Sequence, residues 1–287
     1  MEQHIFLAPE SVFPIINDEV GSKLPNQPAT GFSIAGTIQG EGKLAGVPVL
    51  FIRLAGCNLR CMWSLPNGEV SLCDTPLASF DTSKEKRVSV STIKSLVINN
   101  MNNLHHLVVS GGEPFIQPNA LTELIHSIKV ERDIHIAVET NGTIYNRALV
   151  EQFDFFSISP KLKNSVPTLD KVKKTGVNLP FEPSQAEALR LNIPVVQQFI
   201  DHCNQHRQKD FQLKFVVQSL EEIKEIEDSF LAHLTGWKPD DVVLMPLGSD
   251  REELNQTRLV ALEAAIERGW RFSPRLQVTY FGGISGV

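Results

Sequence analysis

Arg53-Leu-Ala-Gly-Cys57-Asn-Leu-Arg-Cys61-Met-Trp-Ser-Leu-Pro-Asn-Gly-Glu-Val-Ser-Leu-Cys73-Asp-Thr-Pro76 follows a strand-like run, Val47–Leu54, and holds three of the four cysteines of the chain. Structural zinc takes four ligands, usually as two pairs, and no histidine here stands at a telling spacing from the thiols. Three thiolates suit a [4Fe–4S] cluster with one iron left open, and an open iron is a site for chemistry. The plainer alternative is three cysteines buried as small hydrophobes. The flanking Gly, Asn, Arg and Asp residues argue against it.

Outward from this loop, 287 residues make one large domain or two small ones. Apolar residues at 42% and charged ones at 21% exclude disorder of the whole chain. No apolar run reaches the length of a membrane span, and the start lacks the basic and apolar stretches of a signal peptide. A cytoplasmic protein with no membrane partner is expected. Disulfides would be odd there and too sparse for this length. The balance of 27 basic against 33 acidic residues, net −6, speaks against nucleic acid and for a small-molecule substrate.

Pro9, Pro14, Pro25 and Pro28 interrupt residues 1–30, which read as an N-terminal extension, either wrapping the surface or mobile. Residues 31–287 then form the catalytic domain, without an obvious linker. Its expected strands are Phe32–Ile38, Val47–Leu54, Leu104–Ser110, Ile134–Glu139, Phe153–Ser159, Gln212–Val217, Val242–Pro246 and Phe272–Tyr280. Asn119 is expected to cap a helix bearing Leu121, Leu124, Ile125 and Ile128. Ser249 and Glu252 read as a capping box. Residues 219–231 predict a helix whose Glu221, Glu222, Lys224, Glu225 and Glu227 form a solvated face. Strand–helix alternation implies an α/β fold with a largely parallel sheet, and ligands gather at the carboxyl ends of such strands.

Short motifs stand at those ends. Ser110-Gly-Gly-Glu-Pro114 lets backbone approach a ligand and offers a carboxylate to an ammonium; read alone it is merely a turn. Glu139-Thr-Asn-Gly-Thr143 ends another strand, and Ser159-Pro-Lys161 a third, where the plain reading of Lys161 is a surface lysine. Gly36-Thr-Ile-Gln-Gly-Glu-Gly42 has neither the spacing of a dinucleotide fingerprint nor the Gly-Lys-Ser/Thr of a phosphate loop. Arg53 offers a fork to a carboxylate, or else a salt bridge at a strand end. His202 and His206, at i and i+4, read as a solvated helix end with Cys203 a bystander. His105 and His106 read as structural.

Cys-x3-Cys, an aromatic and a third Cys resemble the signature of the radical S-adenosylmethionine superfamily. With Gly36–Gly42, Phe51–Trp63 and Cys73-Asp74-Thr75, the chain resembles the 7-carboxy-7-deazaguanine synthases from about Gly36 onward. The usual Cys-x3-Cys-x2-Cys is widened here to Cys-x3-Cys-x11-Cys, as though Ser64–Leu72 were inserted, with Pro66-Asn67-Gly68 turning the extra residues outward. The resemblance implies a partial (β/α) barrel of the radical S-adenosylmethionine type. Cys57, Cys61 and Cys73 would hold the cluster, and Thr75 would ligate Mg²⁺. Ile38, Gln39, Gly40, Arg53 and Ser110 would bind the pterin substrate, Arg53 through its carboxylate. Gly112, Glu113, Glu139, Asn141, Ser159, Pro160 and Lys161 would bind S-adenosylmethionine. Glu41 has no assigned role. A histidine is usual where Gln277 stands in Ser273-Pro-Arg-Leu-Gln277, so no acid/base role is expected there.

The implied reaction turns 6-carboxy-5,6,7,8-tetrahydropterin into 7-carboxy-7-deazaguanine with loss of ammonia, as in queuosine-type biosynthesis. The implied partners are an electron donor such as flavodoxin and a second copy in a homodimer. The alternatives are a glycyl-radical-enzyme activase, disfavoured by the Gly36–Gly42 motif, and a non-catalytic scaffold, suggested by the widened loop and Gln277.

Overall fold

Period-two alternation sorts the strand residues onto two faces of one sheet. The computed structural model describes residues 2–180 and 182–287. Its strands are β1 (His4–Phe13), β2 (Thr37–Ile38), β3 (Pro48–Leu54), β4 (Met62–Ser64), β5 (Val70–Leu72), β6 (Lys86–Ser89), β7 (His106–Gly111), β8 (His135–Thr140), β9 (Phe155–Ile158), β10 (Asp210–Val217), β11 (Val242–Pro246) and β12 (Arg271–Phe272). Ten form one sheet in the order β12-β11-β10-β9-β8-β7-β3-β1-β6, with β2 beside β3; β4 and β5 form a separate hairpin. From β12 to β3 every pairing is parallel, while β1 runs antiparallel to both β3 and β6. This is the expected α/β partial barrel.

Leu50, Ile52, Leu107, Val109, Ile136, Val138, Phe156, Leu213, Phe215 and Leu244 face outward under the helices and join the main core. The intervening residues face inward. Near the amino ends they are apolar, with Phe13, Val49, Phe51, Val108, Ala137 and Phe155 making a second small core. Toward the carboxyl ends they become polar: Arg53, Ser110, Glu139 and Lys214. Ligand space therefore opens at the carboxyl end, where parallel sheets place it.

Several expectations are corrected. The expected extension contains β1, which brings Ile5, Leu7 and Val12 into the main core. Prolines mask it in the sequence, yet only Pro9 lies inside the strand, next to a register shift between Leu7 and Val12. The strand expected at Phe32–Ile38 shrinks to Thr37–Ile38, because Gly36 at φ +95° breaks the extended path. The one expected at Phe272–Tyr280 stops at Phe272: Pro274 has no N–H for a ladder, and Leu276–Phe281 is helical.

The caps shift as well. The helix Pro118–Glu131 begins at Gln117, so Asn119 lies in its first turn. Asp250, not Ser249, caps Arg251–Arg268 by accepting from the Glu253 N–H, while Ser249 donates to Glu253. Ser219 and Glu222 form the capping box of Leu220–Glu225, which removes Glu222 from the solvated face and buries it. His202 and Cys203 lie on the buried face of the helix Ile193–Gln205 rather than on a solvated end. Burial pulls the His202 pKa down to about 4.

If β1 is part of the fold, Leu7→Ala should cost about 2–5 kcal/mol. Urea unfolding should show a lower midpoint at unchanged slope; an unmoved midpoint would make β1 dispensable.

Candidate active site

The widened cysteine loop is a hairpin. Met62 pairs with Leu72, Trp63 with Ser71 and Ser64 with Val70. One step further the Cys73 N–H donates to the Cys61 carbonyl at 3.1 Å. Cys61 and Cys73 thus stand opposite each other at the base of the ladder, about 5 Å apart at Cα. Eleven intervening residues cost no separation, since the chain returns to where it left. Pro66-Asn67-Gly68 makes the turn, with Gly68 at φ +84°. The hairpin does not simply bulge outward: only its tip is exposed, and Trp63, Ser71 and Leu72 line the pocket.

Leu59, Cys61, Trp63, Leu65 and Leu247 form an apolar sheath against which Cys57 and Cys73 pack. Burial pushes the Cys61 thiol up to about 12 and raises that of Cys57. Three thiols lining one pocket, Cys61 buried and Cys57 and Cys73 half-buried, fit a cluster held by three thiolates. Among the described residues no three His, Cys, Asp or Glu side chains converge as a mononuclear metal site requires. Thr75 stands beside Cys73, its hydroxyl 3.4 Å from the sulfur.

The pocket joins this loop to the sheet. It is lined by Ile38, Gln39, Gly40, Arg53, all three cysteines, Thr75, Ser110, Gly112, Glu139, Asn141, Ser159 and Lys161. Of the expected site residues, Glu113 and Pro160 do not line it. Glu113 is fully buried and accepts from the Phe115 and Asn141 N–H groups and the Thr140 hydroxyl. Burial raises its pKa against these bonds. Beside it, a Cβ on Gly112 would lie 1.7 Å from the Gly56 carbonyl oxygen, so only glycine lets the two loops meet.

Glu139 is placed with residues expected on the substrate side. Its carboxylate accepts from the Gln39 amide at 3.1 Å and the Ser110 hydroxyl at 2.7 Å. Asn141 instead donates to Asn58 of the cysteine loop, and Lys161 donates to Ser159. Arg53 forms no ion pair among the described residues, which removes the strand-end salt bridge.

The residues missed in the sequence centre on Glu41. Its carboxylate accepts from Lys214 at 2.5 Å, Arg275 at 3.0 Å and Gln277 at 2.6 Å, and Arg275 reaches on to Asp74 beside Cys73. Burial by itself would raise the Glu41 pKa, but the Lys214 and Arg275 cations outweigh it and hold the carboxyl well below the usual range. Lys214 was findable: Gln212 and Lys214 alternate with Phe211, Leu213 and Phe215, so a strand with one apolar face must turn these polar groups inward. Gln277, where the resemblance expects histidine, serves as a donor to Glu41.

Two outcomes test this geometry. Gly68→Val, at a positive φ, should strain the turn by about 1–2 kcal/mol and lower the iron and sulfide retained per chain after anaerobic reconstitution, although it touches no ligand. For Glu41 the folded pKa lies below the unfolded one. Its stabilisation is therefore complete above the ordinary carboxylate range and fades as pH falls toward the folded value. The stability gap between the native chain and Glu41→Gln should stay level from about pH 8 to pH 6 and shrink only in acid; chemical denaturation across pH reads it.

Residues 38–178 match the family described as a 4Fe-4S single cluster domain. Over 249 residues the chain is 34% identical to the 7-carboxy-7-deazaguanine synthase of Halobacterium salinarum, covering 84% of this chain and 86% of that one. It is 32% identical to the synthase of Rhodopirellula baltica, covering 87% and 85%. The crystal structure of QueE from Escherichia coli shares the fold, with a TM-score of 0.54 at 22% identity over 91% of this chain and 93% of that one. At this identity over most of both chains, the chain belongs to the 7-carboxy-7-deazaguanine synthase family.

Proposed function

We propose that this chain converts 6-carboxy-5,6,7,8-tetrahydropterin to 7-carboxy-7-deazaguanine with loss of ammonia, using a [4Fe–4S] cluster and S-adenosylmethionine. The observation that carries this reading is one pocket lined at once by Cys57, Cys61 and Cys73 and by Gln39, Arg53, Ser110 and Glu139. When bound, the cluster and S-adenosylmethionine supply an electron and a carbon radical able to take hydrogen from an unactivated C–H bond.

The chain's own residues hold and orient. Gln39, Ser110 and Glu139 are tied into one polar edge, which in this reading meets the donors and acceptors of the pterin. Arg53 presents an unpaired guanidinium for the substrate carboxylate. Ile38 and Gly40 shape the pocket, and the Glu41 network keeps that loop in place. On the other side, Gly112, Asn141, Ser159 and Lys161 border S-adenosylmethionine, and Leu59, Trp63 and Leu247 keep water from the cysteines. Glu113 acts from behind, by fixing the 140–141 backbone. Thr75, with substrate oxygens and waters, is the proposed Mg²⁺ position. No helix is long and apolar enough to cross a membrane; a cytoplasmic homodimer reduced by a flavodoxin-like donor completes the proposal.

Anaerobic protein given iron, sulfide, dithionite, Mg²⁺, S-adenosylmethionine and the tetrahydropterin should yield 7-carboxy-7-deazaguanine by mass spectrometry, and Cys73→Ala should yield none. An intact cluster without product would overturn the substrate assignment. Failure to assemble a cluster would favour the scaffold.

A further inference from the structure

We infer that Phe13, on the N-terminal strand, is a positioning residue for the carboxylate-binding guanidinium of Arg53. The β1–β3 register sets Phe13 opposite Phe51. The two rings stack nearly parallel, 7° apart in plane with centroids 5.3 Å apart. Arg53 follows Phe51 by two residues and so shares its inward face. Its guanidinium carbon lies 4.7 Å from the Phe13 ring centroid. Phe51 and Arg53 line the pocket, whereas Phe13 lies behind them, buried in the small inner core.

This support has a chemical consequence. Arginines at strand ends are commonly held by carboxylates, and a carboxylate partner would compete with an anionic substrate. An aromatic face attracts the cation and limits its rotamers without occupying the in-plane N–H fork. Arg53 has no ion-pair partner among the described residues, and its Nε–H is buried without an acceptor. The fork is held in place but left unsatisfied, ready for a planar anion. Phe13 itself does not touch the substrate; it acts through Arg53, and this inference rests on the proposed pairing of Arg53 with the substrate carboxylate.

The test measures binding of two unreactive probes, 6-carboxypterin and pterin lacking the carboxylate, to anaerobic cluster-loaded protein by fluorescence titration. Phe13→Leu should weaken 6-carboxypterin roughly three- to tenfold and leave pterin unchanged, while Phe13→Trp, which keeps a ring, should restore the preference. Phe13→Met repeats the measurement should the leucine variant not fold. In an Arg53→Met background the Phe13 change should cause no further carboxylate-specific loss. Equal weakening of both probes, or of neither, overturns the positioning role while leaving the Arg53 assignment standing. An unchanged preference in Arg53→Met alone overturns that assignment and the inference with it.

Discussion

The ion cluster around Glu41 is the constraint on which the site depends. Glu41 belongs to a loop before β3, Lys214 to β10, Arg275 and Gln277 to the segment after β12, and Asp74 to the cysteine loop. These elements are far apart in sequence and converge on one carboxylate. Two acids and two cations balance, so the cluster itself carries no net charge. Such a cluster stabilises little in net terms, because desolvation offsets most of the attraction, but removing one member strands the others. Its use is specification: only one arrangement of four segments satisfies it. The same loop continues past Glu41 to Lys43, which bonds Asp210 and Asp241 at the amino ends of β10 and β11. The Gly36–Gly42 motif is thus laced along the inside of the sheet from its ligand end to its base.

A second constraint is the parity of the cysteine hairpin. Residues directly opposed in an antiparallel ladder share a face, and a slip of one residue would turn Cys73 away from Cys61. The register is pinned from outside. Ser64 and Asn164 exchange hydrogen bonds, and Gln218 donates to the Ser64 carbonyl. The buried Lys171 ammonium donates to the carbonyls of Met62, Asn164 and Val166. An ammonium satisfied by three carbonyls from two segments ties the hairpin to the loop that carries Lys161, and so to the sheet.

The sequence made the chemistry legible and the frame less so. The cysteines, Ser110, Glu139 and Lys161 lie on short local motifs at strand ends, and strand ends can be read from alternation. Lys214 and Arg275 act through a partner 173 and 234 positions away, and a lone cation has no local signature. Strand β1 is hidden in the sequence because the prolines around it read as a surface extension, while its apolar run Ile5-Phe-Leu-Ala8 is short and next to an end. The expected strand after Phe272 failed for the opposite reason: Leu276, Val278 and Tyr280 alternate, but Pro274 and the bond from the Leu276 N–H to the Gly40 carbonyl wind the segment into a turn. Tertiary contacts override a two-residue period when the segment is this short.

These features also account for why the pocket can be rigid before a ligand arrives. Most of its polar groups are already paired: Gln39 and Ser110 with Glu139, Lys214 and Gln277 with Glu41, Asn141 with Asn58, Lys161 with Ser159. A ligand entering such a site need not order side chains, so less binding energy is lost to entropy. The buried nitrogens left without partners are informative by contrast. Arg53 keeps its Nε unpaired, and Arg60, between Cys57 and Cys61 in sequence, keeps Nε and one Nη unpaired. Leaving a buried donor unsatisfied costs about 1–3 kcal/mol; besides ring nitrogens of His106, His135 and His202, the fold leaves such nitrogens on these two arginines, one lining the pocket and one within the cysteine loop. Both are cations: in the proposed reading the substrate carboxylate is the partner of Arg53, and Arg60 lies in the loop that carries Cys57 and Cys61.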